Sequence, residues 1–368
     1  MLGMYCLHLA ISNYPRSELP LQLLAHESSP HRSSNSSERA DEVHEIPANA
    51  TLPAHSPRFT EYTSKFNKKY TGDEFKKRKG TYEARIADID GFNARNESYH
   101  KGVNRFSDES EDDLTHRYLP ILSPELFAPA DTSVSVSGST APKTLTATSA
   151  SSFDWTAFMA PVADQGQCGS CYAFATTATI EGRRNVALGT SKFDTLSEEE
   201  LVDCSGTYGN TACSGGWMGN AYAYVRDNGL CGDKSYPYLG VKSTCKSKLC
   251  PKVIAKRYLT SYMTAAATKL DVLSALSTGP VSVAVAASTE WFSYAGGVYT
   301  GSCGTTWNHA VTVVGYGFDS AAGKYYWKVK NSWGAGWGEQ GYMRIDASDD
   351  VNKCGIWNYA QYPVFGTR

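Results

Sequence analysis

The chain has 368 residues, and its 35 Lys and Arg side chains nearly balance 37 Asp and Glu, which gives a net charge of -2. No block of basic residues is long enough to hold a phosphate backbone, and no run approaches the ~18 apolar residues of a membrane-spanning helix, so nucleic acid and membrane partners are not expected. An apolar content of 41% is enough for a sizeable core.

The ten cysteines indicate an oxidising compartment. Nine lie between Cys168 and Cys354, and only Cys6 lies outside. They lack the repeated C-x2-C spacing of a zinc ribbon, so disulfides are favoured over a reduced metal-binding module, and neither a metal nor a cofactor is expected. Residues 1–25 are a candidate signal or N-terminal segment, although the apolar run at 2–12 has no basic region before it.

Residues 26–57 are rich in Ser, Pro, Glu and His and nearly free of large apolar side chains. Such a segment cannot bury enough surface to offset its ordering entropy, so disorder is predicted. Asn35 and Asn49 begin glycosylation sequons here, and Asn96 begins a third sequon further along the chain.

Residues 58–119 form the first predicted domain, which is helical. Phe59, Tyr62, Phe66 and Tyr70 recur at spacings of three and four, and this places them on one apolar helix face. A second stripe at the same spacings follows on the next predicted helix. Its members are Glu74, Arg78, Tyr82, Arg85, Ile89 and Asn93.

Residues 120–152 are predicted to be a linker that is open to proteolysis. From Ala128 onward the linker consists mainly of Ser, Thr, Ala and Val, with few charges. Residues 153–368 form the second predicted domain, because the composition there becomes dense in Gly, Trp, Tyr and Cys.

The second domain changes character along its length. Its first half is predicted to be helical, with Ser197 to Glu200 as a capping box. Its second half is rich in β-branched and aromatic residues, and strands are predicted at 310–316 and 325–330 with a hairpin loop at 317–323. This order predicts an α+β domain of two lobes, and a cleft between lobes is a usual place for a site.

Residues 165–174 carry the strongest chemical signal in the chain. Their sequence is Gln-Gly-Gln-Cys-Gly-Ser-Cys-Tyr-Ala-Phe. The two glycines allow a tight turn with room for a ligand backbone. The apolar residues from Ala173 onward begin a helix, which places Cys171 at the helix N-terminus. The positive end of the helix dipole favours a thiolate there, so Cys171 is a candidate nucleophile.

His309 is the candidate proton carrier for such a thiolate, and it lies just before a predicted strand. Asn331 offers a side-chain oxygen that can accept the imidazole N–H and hold the ring in one orientation, and Trp333 can shield that bond from water. Acyl transfer also needs a donor for the developing negative oxygen. Gln165 can supply it together with the backbone N–H of Cys171.

These residues and several further motifs resemble the papain-like cysteine proteases, and the resemblance covers most of the chain from Phe59 onward. Cys, His and Asn occur in the chain order of that family. The second helical stripe is similar to the ERFNIN pattern of the family's cathepsin L-like branch, with Tyr82 and Arg85 in place of Phe and Asn. The propeptide motif G-x-N-x-F-x-D then follows intact as Gly102, Asn104, Phe106 and Asp108. The further motifs are Asp154-Trp155, Cys213-Ser214-Gly215-Gly216, Tyr236-Pro237-Tyr238, Gly315-Tyr316-Gly317 and Gly334-x-x-Trp337-Gly338-Glu339.

The resemblance implies a helical left lobe and a β-barrel-like right lobe, preceded by a small helical propeptide domain. It also implies a disulfide plan in which Cys171 stays free. Cys231 and Cys250 are left over by this plan and are candidates for a fourth bridge. The implied pairs are Cys168–Cys213, Cys204–Cys245 and Cys303–Cys354.

The resemblance further implies an endopeptidase that is made as a zymogen. The propeptide helices dock on the catalytic domain, the chain after Asp108 runs through the cleft, and cleavage within 120–152 releases it. Acid is expected to promote release, because the carboxylates of Asp108 and of the Glu74–Arg78 pair become protonated. No insertion resembling an occluding loop follows Cys171, which favours endopeptidase action over dipeptide trimming.

By the same resemblance, a mainly apolar pocket receives the substrate side chain two residues before the scissile bond. Tyr359 is expected at the floor of this pocket and shortens it, so Leu or Val is preferred over Phe. Gly215 and Gly216 would offer backbone hydrogen bonds to an extended substrate. The residues assigned to the pocket are Trp217, Met218, Ala284, Asn308, Ala310 and Tyr359.

The expected partners are protein and peptide substrates, the chain's own propeptide as an intramolecular inhibitor, and cystatin-like inhibitors. A monomer is expected, in a lysosome or vacuole or secreted. The main alternative is a catalytically silent homologue that binds or inhibits other proteases, and the presence of Cys171, His309, Asn331 and Gln165 disfavours it. A transpeptidase would differ only in the access of water to the acyl-enzyme, and this alternative stays open.

Overall fold

A computed structural model describes residues 58–122, 152–192, 194–348 and 351–366 of the chain. Within these ranges, no helix is both long enough and apolar enough to cross a membrane. Outside them lie the candidate signal segment, the predicted disordered segment, most of the predicted linker, Cys6, Asn35 and Asn49.

The N-terminal region, residues 58–122, is a small unit built on aromatic side chains. Six rings from its first two helices and the turn between them pack on one another, with centroid separations of 4.5 to 6.5 Å. Phe66 and Tyr70 join this cluster from beyond the end of the first helix at Lys65, so the predicted apolar face packs together but is only partly helical. The elements are α1 (Phe59–Lys65), α2 (Gly72–Asn93), β1 (Tyr99–Lys101) and α3 (Glu111–Tyr118).

The second sequence stripe lies along α2 and faces the chain that joins β1 to α3. Arg78 donates a hydrogen bond to the carbonyl of Asp108 at 3.3 Å. Asn93 exchanges two hydrogen bonds of 2.9 Å with the backbone of Lys101. Glu74 lies 3.6 Å from Arg78, but its side chain is 55% exposed, so that ion pair adds little stability. The stripe therefore fixes the path of the chain from Lys101 to Asp108.

Asp108 is the buried charged centre of the N-terminal region. Its carboxylate accepts hydrogen bonds from the hydroxyls of Tyr62 at 2.8 Å and Tyr70 at 2.7 Å, and from the ammonium of Lys68 at 3.2 Å. Three donors, one of them cationic, offset the cost of removing this carboxylate from water. Asp108 therefore ties α1 and the turn after it to the chain that leads into α3.

The left lobe is helical, and its central helix α4 (Cys171–Leu188) is buried over most of its length. Small Ala and Thr side chains let other elements approach α4 closely, and Gly189 ends it in a left-handed cap with φ of 58°. Ser197 caps the next helix by accepting the N–H of Glu200 at 2.9 Å. The reciprocal half of the predicted capping box does not form, because the Glu200 carboxylate accepts the N–H of Cys231 instead. The other elements are α5 (Glu198–Cys204), α6 (Met218–Asn228), β3 (Leu230–Cys231) and β4 (Lys252–Ile254).

The right lobe is built on a sheet, with one helix, α7 (Lys269–Leu276). Its strands are β2 (Phe153–Asp154), β5 (Leu259–Thr264), β6 (Val281–Val285), β7 (Tyr294–Tyr299), β8 (His309–Asp319), β9 (Lys324–Lys330), β10 (Tyr342–Asp346) and β11 (Ala360–Phe365). With β1 they form a nine-stranded sheet in the order β1-β7-β10-β9-β8-β6-β11-β5, and β2 lies beside β8. The end strands β1 and β5 do not pair within the described residues, so this sheet is open and not a closed barrel.

The hairpin between β8 and β9 is tighter than the sequence predicts. Gly317 and Phe318 were expected in the loop, but they still pair with Tyr326 and Tyr325 across the hairpin. Strand pairing therefore extends β8 to Asp319, because alternating side chains can continue a ladder through a glycine. Apart from such details, the α+β fold with a helical left lobe and a strand-rich right lobe is confirmed.

The N-terminal region adds a strand to the sheet of the right lobe. β1 runs antiparallel to β7, with Tyr99 opposite Gly297. Only helices are predicted for residues 58–119, and this strand corrects that expectation, since three residues are too few for an alternating pattern to show. Gly102 follows directly, and a Cβ there would come within 2.8 Å of the Ala295 side chain. Glycine is therefore needed for this close approach.

Phe106 attaches the N-terminal region to the right lobe through a group of rings. Its ring is 1% exposed and packs edge-on against Tyr118, Phe292 and Trp333 at centroid distances of 5.1, 5.3 and 5.7 Å. We call these four residues the Phe106 cluster. Asn104 supports it by donating to the carbonyl of Phe292 at 2.7 Å and by accepting the N–H of Phe106 at 2.9 Å.

Four disulfides lie in the two lobes, and Cys171 is the free cysteine among the described residues. Three of the bridges are the pairs that the family resemblance implies. The fourth joins the two cysteines that the resemblance leaves over. The bridges are Cys168–Cys213, Cys204–Cys245, Cys231–Cys250 and Cys303–Cys354.

Candidate active site

Cys171 is the first residue of α4 and is fully buried. The turn before it is fixed by the Cys168–Cys213 disulfide and by a hydrogen bond of 2.9 Å from the N–H of Gly169 to the carbonyl of Cys213. A Cβ at Gly169 would come within 2.5 Å of that carbonyl oxygen, so only glycine fits. The turn places the Cys171 sulfur at the positive end of an 18-residue helix.

His309 is the first residue of β8 and adjoins Cys171 from the right lobe. Its Nε2 lies 2.8 Å from Oδ1 of Asn331, and the indole of Trp333 stacks on the imidazole with ring centroids 5.0 Å apart. Within the part of the chain that the structure describes, its Nδ1 has no hydrogen-bond partner. The backbone N–H of the next residue, Ala310, lies near enough to the Cys171 sulfur to favour its thiolate form. The structure thus brings His309 and Asn331 into hydrogen-bond contact and places the residue after His309 beside the Cys171 sulfur.

Burial sets the charge states of the Cys171 and His309 side chains. Burial raises the pKa of the Cys171 thiol to about 11, although the backbone N–H groups of Ala310 and Tyr172 favour the thiolate. Burial lowers the pKa of His309 to about 4, against the opposing effect of its hydrogen bond to Asn331. In this closed form both side chains are therefore neutral at pH 7.

Gln165 is buried beside the turn that precedes Cys171. The hydroxyl of Ser332 donates to its Oε1 at 2.6 Å, and its Nε2 donates to the carbonyl of Cys168 at 3.0 Å. Because Ser332 binds the oxygen end of the amide, the NH2 end lies toward the turn. A primary amide has two N–H bonds, and Cys168 uses one of them.

Residues 119–122 of the N-terminal region fill the cleft between the lobes. Leu122 is 2% exposed and donates its N–H to the carbonyl of Trp307 at 2.9 Å. Pro120 lies against the turn before Cys171, since a Cβ on Gly169 would approach its ring to 3.0 Å. This segment covers Cys171, which accounts for the burial of the thiol.

Leu122 shares a buried apolar cluster with residues that the family resemblance assigns to a substrate pocket. It belongs to the same buried apolar cluster as Cys171. Tyr359 is partly buried at the border of this cluster, and its ring packs edge-on against Trp217 at 4.7 Å. The assigned residues that share the buried cluster with Leu122 are Trp217, Met218, Ala284 and Ala310.

Three other residues assigned to substrate contact are held by the protein itself. Asn308 exchanges hydrogen bonds of 2.8 and 2.9 Å with the backbone of Ala287, so its amide braces the loop before β8. The carbonyl of Gly215 accepts from both the N–H and the hydroxyl of Thr211. Gly216 packs so tightly that a Cβ would come within 2.5 Å of a neighbouring asparagine oxygen.

Two residues of the cleft have no strong signal in the sequence. Leu122 is a single leucine outside any periodic pattern. Trp307 lies in the loop before β8, yet its carbonyl binds Leu122 and its ring lies 6.0 Å from that of Trp217 and 6.1 Å from that of Tyr359. The position of Trp307 two residues before His309 is the clue that could have identified it.

A cavity of about 200 Å³ adjoins Asn331, lined in part by charged side chains that do not belong to the triad. Glu181 is 8% exposed and accepts the N–H of Leu196 at 2.7 Å. Burial raises the pKa of Glu181 to about 7, against the attraction of Lys330. Burial and the proximity of Glu181 raise the pKa of the half-buried Glu198 to about 8, and burial lowers the pKa of Lys330.

One group of possible metal ligands occurs among the described residues, away from the cleft. Atoms of Glu200, Cys231 and Cys250 lie within 4.8 Å of one another. The two cysteines are bonded to each other, and the Glu200 carboxylate binds Lys252 and the hydroxyl of Tyr224. The group offers no thiolate to a metal while the disulfide is intact.

Comparison with known families agrees with this geometry. The model of the papain family cysteine protease matches residues 149–364. The model of the cathepsin propeptide inhibitor domain (I29) matches residues 59–114. The two matches correspond to the two lobes and to most of the N-terminal region.

Individual relatives match over nearly the whole chain. Fruit bromelain of Ananas comosus is 35% identical over 320 residues, which covers 84% of this chain and 86% of that protein. Pro-cathepsin H of Bos taurus is 34% identical and covers 87% of this chain and 92% of that protein. The structure of digestive procathepsin L 3 of the Tenebrio molitor larval midgut matches with a TM-score of 0.69 and 33% identity, over 83% of this chain and 98% of that one. The chain therefore belongs to the papain family of cysteine proteases and carries a cathepsin-type inhibitory propeptide.

Proposed function

We propose that this cysteine protease is an endopeptidase in which Cys171 is the nucleophile and His309 its general base and acid. The observation that carries the proposal is the orientation of His309: Asn331 holds Nε2, and Nδ1 is buried without a partner among the described residues, so it can accept the proton of the Cys171 thiol. Once the cleft opens, the thiol proton passes to His309, and the thiolate at the helix N-terminus attacks the substrate carbonyl carbon. His309 then protonates the leaving amine, and water releases the acyl group.

Gln165 and the backbone N–H of Cys171 would stabilise the negative oxygen of the tetrahedral intermediate. Ser332 holds the Gln165 amide so that its second N–H is available beside the nucleophile. A donor held in place in this way costs no reorganisation during the reaction. Removing one such donor typically lowers kcat by about 10²–10³. We expect Gln165→Ala to fall in that range, and Gln165→Glu to remain impaired because it lacks the N–H.

The N-terminal region acts as the inhibitor, and the segment 119–122 acts as its blocking element. We place the inhibitory propeptide at 58–119, the activation cleavage within 120–152 and the peptidase domain at 153–368. Support comes from the burial of Cys171 beneath the segment, which excludes substrate, and from the strand β1, which adds main-chain hydrogen bonds to the attachment.

Leu122 indicates which substrates the cleft prefers. The aliphatic side chain of Leu122 shares the buried apolar cluster with Trp217 and Ala284, and the aromatic side chains of Trp307 and Tyr359 pack against this cluster. We therefore propose a preference for Leu or Val over Phe two residues before the scissile bond. Tyr359→Ala should enlarge the pocket and raise the turnover of Phe substrates relative to Leu substrates.

The test is to incubate the purified precursor at acid pH with a thiol reductant and a fluorogenic peptide amide that carries Leu at that position. We expect the precursor to shorten and the amide to be cleaved, with cleavage blocked by an epoxysuccinyl inhibitor. The matched control is Cys171→Ala, which should fold normally but neither process itself nor cleave the amide. A folded, matured wild-type domain that cleaves neither this amide nor a diverse peptide library would contradict the proposal.

A catalytically silent homologue is the second reading of the same fold. Such a homologue would keep the surfaces that bind other proteases but would lack catalytic residues. This chain has all four candidate catalytic residues: Cys171, His309, Asn331 and Gln165. The same incubation separates the two readings. A silent homologue would not react with the epoxysuccinyl inhibitor even after its N-terminal region is removed.

We also propose that the chain matures in the secretory pathway, works as a monomer in a lysosome or vacuole or after secretion, and is inhibited by cystatin-like proteins that enter the opened cleft. Four disulfides support an oxidising compartment. Asn96 lies exposed in the turn between α2 and β1, with φ of 54°, where an attached glycan would meet solvent. Endoglycosidase should shift the mass of the secreted wild-type precursor, with a smaller shift for Asn96→Gln; equal shifts would show that this sequon is unused.

A further inference from the structure

We propose that Asn210 is a positioning residue that holds Gly216 where its backbone can bind an extended substrate. The proposal deepens the proposed function and rests on it, because it concerns a substrate that lies in the cleft beside Cys171. Asn210 is 5% exposed and lies in the chain between α5 and α6, six residues before Gly216. It acts through the backbone of Gly216 and the residue after it, and it does not touch the substrate itself.

Residues 215–217, which we call the glycine loop, face the segment that fills the cleft. A Cβ on Gly215 would come within 3.8 Å of the Leu122 side chain. The carbonyl of Gly215 already accepts two hydrogen bonds from Thr211. No hydrogen bond within the described part of the chain engages the N–H or the carbonyl of Gly216. Gly216 therefore offers the donor and the acceptor that an added peptide strand needs.

Two hydrogen bonds fix the amide of Asn210 against this loop. Its Oδ1 accepts the N–H of Trp217 at 2.8 Å, and its Nδ2 donates to the hydroxyl oxygen of Ser205 at 3.0 Å. The Ser205 hydroxyl donates in turn to the carbonyl of Leu201 in α5 at 2.5 Å. Because Ser205 gives its only proton to Leu201, it can only accept from Asn210, and this sets which end of the amide faces Trp217. The glycine loop is thereby tied to α5.

Gly216 lies between Asn210 and the residue that follows the nucleophile. A Cβ on Gly216 would come within 2.5 Å of Asn210 Oδ1 and within 3.0 Å of the ring of Tyr172. The backbone of Gly216 is therefore confined by Asn210 on one side and by Tyr172, next to Cys171, on the other. Removing the amide would open a gap beside Gly216 and leave the N–H of Trp217 without this partner. The glycine loop would then shift, and a misplacement of about 1 Å can cost about 10²-fold in rate.

The experiment compares two fluorogenic peptides that differ only in the backbone of the Leu two residues before the scissile bond. In the ester peptide an oxygen replaces the N–H of this Leu, so it cannot donate to the carbonyl of Gly216. This position is chosen because the glycine loop adjoins Leu122, which shares the apolar cluster assigned to that side chain. The matured wild-type enzyme should show a kcat/KM about fivefold lower for the ester peptide, the effect of one hydrogen bond. Asn210→Ala should lose this preference, because kcat/KM for the amide peptide falls about fivefold through KM while that for the ester peptide stays.

A loss of stability alone would lower both rates equally. Ser205→Ala removes the anchor of the Asn210 amide and should weaken the preference in the same direction, which keeps the test decisive if Asn210→Ala does not fold. Asn210→Asp keeps an acceptor for the N–H of Trp217 and should retain the preference. Asn228→Ala, at an exposed position at the end of α6, is the matched control and should retain it too.

A preference that Asn210→Ala leaves intact or, where that variant does not fold, that Ser205→Ala leaves intact would overturn the positioning role. A wild-type enzyme without any preference would overturn it as well. A matured wild-type enzyme that cleaves neither peptide would instead overturn the proposed function on which this role depends.

Discussion

His309 and Glu181 are two buried titratable side chains near the junction of the lobes, and burial shifts their pKa values in opposite directions. Burial lowers the pKa of His309 to about 4 and raises the pKa of Glu181 to about 7. The difference arises because the uncharged form is deprotonated in a histidine and protonated in a carboxylic acid. A fall in pH is therefore expected to destabilise the closed cleft and to stabilise the folded lobes.

Acid weakens the closed cleft through His309. We expect the imidazole to regain contact with water when the segment 119–122 leaves, and its pKa then to return to its ordinary value of about 6.5. The closed form is fully stabilised above pH 6.5. As the pH falls from 6.5 to about 4, the open form binds a proton that the closed form cannot. The closed form then loses roughly 3 kcal/mol.

Acid has the reverse effect on the lobes through Glu181. An exposed glutamate has a pKa of about 4.5, so both the folded and the unfolded chain carry the proton below that pH. Between pH 4.5 and about 7 the unfolded chain releases the proton and the folded chain keeps it. Rising pH therefore costs the fold up to roughly 3 kcal/mol, and acid removes this cost. Acid is therefore expected to open the cleft of the precursor while it makes the folded lobes more stable.

The largest expected effect comes from the Phe106 cluster, which has no group that titrates between pH 4 and 7. Phe106→Ala should remove about 3–5 kcal/mol of packing and release the N-terminal region at neutral pH, where titration of His309 cannot. Self-processing of the precursor at pH 7 should accelerate at least a hundredfold, which is the rate equivalent of about 3 kcal/mol.

The matched control for this change is Phe318→Ala, since Phe318 is 53% exposed on the right lobe. It should leave the rate of processing at pH 7 unchanged. If Phe106→Ala processes as slowly as wild type at pH 7, the cleft is held closed by something other than the Phe106 cluster.

The second effect concerns His309 itself. In a Cys171→Ala precursor, which cannot cleave itself, hydrogen exchange of residues 119–122 should report opening of the cleft. After correction for intrinsic exchange, opening should increase about a hundredfold between pH 6.5 and pH 4. His309→Gln should abolish most of this increase, whereas His116→Gln, at an exposed position of α3, should retain it. An increase that survives His309→Gln would show that groups other than His309 sense the acid.

The third effect concerns Glu181 and the pH dependence of the stability of the lobes. Glu181→Gln keeps an oxygen for the N–H of Leu196 but cannot ionise. In the Cys171→Ala background the melting temperature at pH 7 should rise by roughly 5–10 °C, and at pH 4.5 it should not change. Glu97→Gln, at an exposed position, is the control and should change neither value. Equal changes at both pH values would show that the charge of Glu181 is not responsible.

The smallest effect is expected from the ion pair between Arg105 of the N-terminal region and Asp164, whose charged atoms lie 2.8 Å apart. The two side chains are 29% and 42% exposed, so solvent screens the pair and it contributes at most about 1 kcal/mol. Asp164→Asn should speed processing no more than about fivefold at low salt, and the difference should vanish at high salt. A larger or salt-independent effect would mean that Asp164 acts through the turn that contains Gly166.

The sequence identifies the candidate catalytic residues of this protein better than it predicts the contacts between distant parts of the chain. Cys171, His309 and Asn331 each lie in a short local motif, and local motifs can be recognised without knowledge of the fold. Trp307 lies in no such motif. It becomes part of the cleft only because the loop before β8 brings its ring within 6.0 Å of that of Trp217 in the left lobe, and such a contact depends on tertiary packing.

The same reason explains what the sequence does not predict in the N-terminal region. Asp108 belongs to a recognisable motif, but its donors Tyr62, Lys68 and Tyr70 reach it only through the packing of α1 and the following turn. β1 is too short to show a period, and its partner β7 lies almost two hundred residues away. The prediction that acid acts through the Glu74–Arg78 pair overlooks solvent screening, which cannot be judged before the exposure of the pair is known.

We propose that Cys171 is the nucleophile and that burial under residues 119–122 keeps it inert in the precursor. The most direct measurement is the rate at which an epoxysuccinyl inhibitor labels the precursor and the matured enzyme at pH 7, with the labelled residue identified by mass spectrometry. We expect slow labelling of the precursor and labelling at least a hundredfold faster after the N-terminal region is removed, in both cases at Cys171. Equal rates in the two forms, or a label on any other residue, would contradict it.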